Sequence, residues 1–158
     1  MSGVPARDYI FQTEPYEEQI KKAAKLIREA DYILFGLGAG ISTAAGAQYG
    51  GDFFKGNFGE FIEKYGAGPY MQDMYSAGFY PYPDEESYWG YWSRQAMVGG
   101  IELDVTGLYR QLIALAQGKK SFCLSTNADG QMEKAGYSTE QIFCTQGDYF
   151  HRMPCQNV

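Results

Sequence analysis

Glycines at alternate positions, Gly36, Gly38 and Gly40, follow the apolar run Tyr32-Ile33-Leu34-Phe35, and Ser42 comes directly after them. These residue types suit anion chemistry. Glycines let the backbone approach a ligand closely, and a following helix N-terminus offers N–H groups and a partial positive charge to a pyrophosphate. A serine hydroxyl adds one more bond. The same residues serve equally as a tight strand-to-helix turn with no ligand, because a lone glycine pattern carries little specificity. Other chemistry-bearing residues are sparse. His151 is the only histidine, and Cys123, Cys144 and Cys155 are too few and scattered for a disulfide framework. Cys123 and Cys144 sit in apolar runs, where a buried reduced thiol is expected. Cys155 alone is weak evidence for zinc, and no metal site is expected.

The elements that must hold the glycine turn can be laid out from periodicity. Residues 15–30 predict an amphipathic helix with Ile20, Ala23, Ala24 and Ile27 on one face, acidic residues leading and basic ones following. The strand Tyr32–Gly36 starts immediately after Asp31. A short helix Thr43–Ala47 follows Ser42 and breaks at Tyr49-Gly50-Gly51. Residues 52–65 predict a glycine-punctuated mobile loop and then a helix. Residues 66–100 are crowded with aromatics, including Tyr70, Tyr80, Tyr82, Tyr91 and Trp92, and predict a helical unit packed by rings; Asp84-Glu85-Glu86 marks a helix start. A helix over Thr106–Ala116 presents Leu108, Leu112, Ile113 and Leu115. A second strand spans Ser121–Thr126, a short helix Asn127–Ala135 ends at Gly136, and a third strand covers Gln141–Thr145. Strands alternating with helices imply parallel pairing through right-handed crossovers. The expected class is therefore α/β: a Rossmann-like parallel sheet from about 30–50 and 101–150, with a helical, aromatic insert at about 51–100. Three strands make half of a doubly wound dinucleotide fold. The 158 residues thus read as the N-terminal part of a longer domain whose C-terminal half is missing.

Composition narrows the partners. A net charge of −6 argues against a binder of phosphate backbones, and Arg94 is the lone cation among the aromatics of the insert. No nucleic acid and no membrane partner is expected, since no apolar run has the length of a span. Residues 1–7 lack the apolar core of a secretory signal, so the expected location is cytoplasmic.

Three separated segments share a resemblance. Gly38-Ala39-Gly40-Ile41-Ser42 with Gly46 resembles the sirtuin (Sir2) signature GAGIS-x-x-x-G, and Ser125-Thr126-Asn127-Ala128-Asp129-Gly130, continuing to Gly136, resembles the sirtuin segment TQNIDGLHEKAG. Thr145-Gln146-Gly147 stands where sirtuins carry His-Gly after their third strand. The departures resemble the macrodomain-linked (class M) microbial sirtuins: Ala47-Gln48-Tyr49-Gly50-Gly51 replaces Ile-Pro-Asp-Phe-Arg, Thr126 replaces Gln, and Gln146 replaces the catalytic His. The paired Cys-x-x-Cys motifs of the sirtuin zinc ribbon are not visible.

The resemblance implies a DHS-like NAD-binding domain and an NAD-dependent protein ADP-ribosyltransferase. NAD would be bound by Gly38, Ala39, Gly40, Ser42, Gly46, Tyr49, Asn127, Asp129 and Gln146, with Asn127 and Gln146 catalytic. Asp129 would accept from the nicotinamide amide, and Asn127 would contact the ribose side. Asn127 also suits a helix N-cap, and Asp129 a first helical turn. A glutamine has no proton equilibrium near neutrality and only donates and accepts hydrogen bonds, so deacylation through the ribose hydroxyls suffers more than direct transfer. Asp148 is a nearby candidate acid/base. The implied partners are a protein acceptor and a macrodomain hydrolase. Two alternatives stand beside this expectation: an NAD-dependent lysine deacylase and a non-catalytic NAD or ADP-ribose sensing module.

Overall fold

The computed structural model describes residues 14–150. The expectations for residues 1–7, His151 and Cys155 lie outside the described residues.

The element order is α1 (Tyr16–Glu29), β1 (Tyr32–Leu37), α2 (Ala39–Ala44), α3 (Gly51–Tyr65), α4 (Met74–Gly78), α5 (Glu85–Ala96), a π-helical turn (Met97–Ile101), α6 (Thr106–Leu115), β2 (Lys120–Ser125), α7 (Gln131–Lys134), a 3-10 turn (Thr139–Gln141) and β3 (Ile142–Cys144). The strands form one parallel sheet in the order β1-β2-β3. Tyr32 pairs with Lys120 and Leu37 with Ser125, while Ser125 pairs with Cys144. The α/β class and the parallel pairing are as the alternation of elements requires.

One face of this sheet is covered. Phe35 and Cys123 point into a cluster with Tyr109 and Ala116 from the α6 side, Met132 of α7 and Tyr137. Strand alternation puts the intervening residues on the opposite face. There Leu34 is 70% exposed and Phe143 57%, and Tyr32, Phe122 and Leu124 are exposed with them. Among the described residues, therefore, β1 carries an unpaired edge and the sheet an uncovered apolar face.

A second cluster lies between the helices of residues 51–101. Phe54, Phe58 and Phe61 of α3 pack with Met71, Met74, Ala77 and Tyr91. The rings meet face-on and edge-on: Phe54 and Phe58 are stacked at 5.0 Å, and Phe61 meets Tyr91 edge-on at 5.5 Å. Such pairs add about 0.5–1.5 kcal/mol each beyond the area they bury. The Asp84 carboxylate accepts the Ser87 N–H at 2.7 Å and caps α5, and Asp73 caps α4 in the same way.

Several local expectations are corrected. Residues 52–57 are helical rather than a mobile loop, because Phe54, Phe58 and Phe61 recur at helical spacing and anchor α3 in the aromatic core. The helix does kink at Phe58, where φ is −127°. α2 begins at Ala39, inside the glycine run, instead of after Ser42. Residues 127–130 form a loop, with Gly130 at φ +62°, so α7 is far shorter than the expected helix. In α1 no residue is buried, and Ile20 and Ala23 of its expected apolar face are exposed. Leu115 is likewise exposed, and α6 is anchored by Tyr109 instead, which is 1% exposed.

Candidate functional site

Parallel strands deliver their C-terminal ends to one edge of a sheet, where open α/β folds place ligands. Three loops meet there: the turn after β1, the segment after β2 carrying Asn127 and Asp129, and the segment after β3 carrying Gln146. Two bonds fix their mutual height. Thr126 N–H donates to Leu37 O at 3.0 Å and Thr145 N–H to Ser125 O at 2.9 Å.

The centre of the site is a buried polar network. Ser42 is fully buried and donates its hydroxyl hydrogen to Asp129 Oδ2 at 2.6 Å. Its oxygen also lies 2.6 Å from Tyr109 Oη. A serine hydroxyl has one hydrogen, already given to Asp129, so Tyr109 donates to Ser42. Burial pushes the Tyr109 phenol up to about 12, its hydrogen bond with Ser42 working the other way, so it keeps its proton across the neutral range. A relay runs from Tyr109 through Ser42 to the Asp129 carboxylate. The other Asp129 oxygen accepts the Gln131 N–H at 3.2 Å.

Asn127 completes the network. Its Nδ2 donates to Gly38 O at 3.1 Å and shares longer contacts of 3.3 Å with Ser42 Oγ and Tyr109 Oη. The donor end of the amide is thus committed inward. Asn127 lines the cavity described below, so its Oδ1 is the atom left for that side. Its N–H is held by Ser125 Oγ at 3.0 Å. Gln131, also fully buried, braces the segment by accepting from Val105 N–H and donating to the Leu103 and Asp129 carbonyls.

In front of the network is a cavity of about 330 Å³, at the lower end of the roughly 300–1,000 Å³ range of small-molecule sites. Ala39, Thr126, Asn127, Ala128, Asp129 and Gln146 line its strand side; Tyr49, Met74, Tyr75, Gln95, Gly99 and Tyr149 line the other. Gln146 is exposed, and its Nε2 donates to Thr126 O. The Tyr49 phenol is raised above its ordinary range, chiefly by burial.

The expected site residues divide into groups. Ala39, Tyr49, Asn127, Asp129 and Gln146 come together around the cavity. Ser42 stands behind them with its hydroxyl engaged, so it acts on the cavity through Asp129 rather than by facing it. Gly38 enters through its carbonyl, which holds Asn127, and a Cβ on it would touch Thr126 Oγ1 at 3.4 Å. Gly40 opens onto free space in the first turn of α2. Gly46, at φ +112°, lines a different hollow with Gln48, Phe53 and Asn57. Asp148 accepts the Phe150 N–H at 2.7 Å. Tyr109, Gln131, Gln95 and Tyr149 were not anticipated. Tyr109 left one signal, a polar-tipped ring on the apolar side of a predicted helix, which a buried tyrosine needs a partner to satisfy.

No family model matches the chain. Two curated proteins are similar to it. A protein named "Protein ADP-ribosyltransferase" from Staphylococcus aureus (strain Mu50 / ATCC 700699) is 37% identical over 136 residues, covering 84% of this chain and 42% of that protein. A protein named "Probable bifunctional ADP-ribose hydrolase/ADP-ribosyltransferase" from Fusarium oxysporum f. sp. cubense is 34% identical over 152 residues, covering 90% of this chain and 24% of that protein. The chain is homologous to these proteins along most of its own length, and it spans less than half of theirs.

Proposed function

We propose that the protein transfers ADP-ribose from NAD to a protein acceptor, in the manner of the macrodomain-linked sirtuins that its motifs resemble. The observation that carries this proposal is the convergence of Asn127, Asp129 and Gln146 on one cavity at the strand ends, braced from behind by Ser42 and Tyr109. The names of the two similar proteins support it.

NAD is the substrate whose glycosidic bond breaks. The cavity suits the nicotinamide and its ribose, and the pyrophosphate would lie along the turn at Gly38–Gly40, where α2 presents its first N–H groups. Transfer breaks the bond from ribose C1 to the ring nitrogen, forms a bond from C1 to the acceptor atom, and passes the acceptor's proton to solvent. Nicotinamide leaves neutral. Positive charge develops on the sugar meanwhile, and an oriented oxygen beside it stabilises that charge without reorganising. Asn127 Oδ1 is such an oxygen, held by the inward bonds of Nδ2. The Asp129 carboxylate reads the amide of the leaving group. Gln146 orients the ribose through hydrogen bonds, and with no titratable imidazole at this place the chemistry favours direct attack by the acceptor over a deacylation that begins with ribose hydroxyl deprotonation. One similar protein's name pairs the transferase with an ADP-ribose hydrolase; a hydrolase of that kind is the partner proposed for removing the modification.

The test places NAD labelled in its adenylate half, a candidate acceptor protein and an acylated lysine peptide in one reaction. Label on the protein with an untouched peptide is the expected result. Rapid NAD-dependent deacylation of the peptide would overturn the assignment, as would NAD binding with no nicotinamide release.

A further inference from the structure

We propose that Tyr149 is a positioning residue for this reaction, clasping the Gln146 loop to the helices of residues 51–101 through Gln95. The inference rests on the transferase assignment for its meaning and on separate geometry for its evidence.

Gln146 lies in a segment with no regular structure, is exposed, and has one side-chain hydrogen bond, to Thr126 O. Such a side chain orients a substrate only if its backbone is held elsewhere. The hold comes three residues later. Tyr149 N–H donates to Ala128 O at 3.0 Å, tying the loop to the segment between Asn127 and Asp129. Its ring occupies a notch at Gly99 and Gly100: a Cβ on Gly100 would stand 2.8 Å from Tyr149 Cδ2, closer than packed atoms allow. Its hydroxyl accepts from Gln95 Nε2 at 2.9 Å.

Gln95 is 7% exposed, and its Oε1 has no partner among the described residues, so the bond to Tyr149 is what satisfies this buried amide. The notch has its own cause. Gly99 and Gly100 fall in the π-helical turn that ends α5, an irregularity frequent at functional sites. Lys134 Nζ holds the end of that turn through the Gly100, Ile101 and Leu103 carbonyls at 2.6–2.8 Å. Phe150 continues the seal over Gly130, whose left-handed backbone leaves room for the ring.

Packing alone does not account for this placement. Tyr149 is only half-buried, and both it and Gln95 line the cavity. The clasp therefore couples helix α5 to the loop that carries Gln146.

The experiment compares Tyr149→Ala, Tyr149→Phe, Gln95→Leu and Gly100→Ala with the unmutated protein, measuring nicotinamide release from NAD and amide hydrogen exchange without substrate. Tyr149→Ala is expected to lower kcat by about 30-fold or more while KM for NAD stays within about threefold, the mark of lost transition-state geometry. Tyr149→Phe keeps the ring in its notch and loses one hydrogen bond, so its kcat falls by only about fivefold. Gly100→Ala pushes the ring out and follows Tyr149→Ala. Exchange at residues 145–148 accelerates in Tyr149→Ala and also in Gln95→Leu, a change some fifty positions away in sequence. Unchanged exchange at 145–148 in both variants overturns the clasp, as does a Tyr149→Ala kcat within twofold of the original. A lost melting temperature with kcat and KM falling together reduces Tyr149 to packing and also overturns it. If the unmutated protein releases no nicotinamide, the transferase assignment fails, and the exchange measurement still decides the clasp.

Discussion

Replacing Asn127 tests the central geometry. In Asn127→Ala the Gly38 carbonyl loses its 3.1 Å donor, and Ser42 and Tyr109 lose weaker shared contacts of 3.3 Å. One net hydrogen bond is worth about 1 kcal/mol, and leaving a buried acceptor short costs about 1 kcal/mol more at least. A loss of about 2 kcal/mol lowers Tm by roughly 4–8 °C for a chain of this size. The effect on turnover is larger, since an oriented oxygen beside a centre gaining charge contributes about 2–3 kcal/mol, or roughly 30–150-fold in kcat. NAD affinity changes by less than about threefold, because the ground state carries less of that charge. Asn127→Asp sharpens the test. It keeps an oxygen toward the cavity but replaces the inward donor by a second oxygen facing Gly38 O, and so it too loses most activity. The assays are nicotinamide release, calorimetric titration with NAD and thermal melting. Equal losses in kcat and affinity, or an Asn127→Asp protein with most of its turnover intact, would refute the reasoning.

Gly40 opens onto free space, so Gly40→Val leaves the fold with its original Tm while blocking the approach of a pyrophosphate to α2; unchanged NAD affinity by titration would remove this turn from the site. Gln146→His introduces a titratable group, and any deacylation it confers must rise as pH increases through about 6–7, because only neutral imidazole acts as a base; a pH-independent gain in a peptide deacylation assay contradicts this role for the position. Burial that raises Tyr109 to about 12 makes the folded state resist its ionisation. Its stabilising share is complete below the ordinary tyrosine range near 10 and is lost as pH rises toward 12, so urea midpoints fall over that window and fall less in Tyr109→Phe; parallel pH profiles would disprove it. The uncovered sheet face predicts self-association of the 158-residue chain, weakened by Leu34→Lys together with Phe143→Lys; sedimentation showing a monomer before the substitutions would count against it.

Much of this architecture was legible in the chain because its signals are local. The run Tyr32-Ile33-Leu34-Phe35 cut by glycines had to be a strand ending in a turn, and strands separated by helices had to pair in parallel. Asp84 before Glu85-Glu86 announced the cap of α5, which the carboxylate makes. Glycine spacing at 56 and 59 misled in the other direction, since a tertiary aromatic core at Phe54, Phe58 and Phe61 overrides the weak helix propensity of glycine.

By itself, then, the sequence determined where ligand-facing loops occur and which residue types stand in them: Ala39, Asn127, Asp129, Gln146 and their neighbours at strand ends. Tertiary structure alone decided what each of those side chains faces. Ser42 turns inward because Asp129 and Tyr109, 87 and 67 positions away, meet its single hydroxyl from two sides. Asn127 aims its oxygen outward because Gly38, 89 positions earlier, takes its donor. Tyr149 becomes a wall of the cavity because Gly99 and Gly100 leave it room and Gln95 takes its hydroxyl. Hydrogen bonds and close contacts act over a few ångströms in space and follow no fixed spacing in the chain, so no periodicity or motif records them.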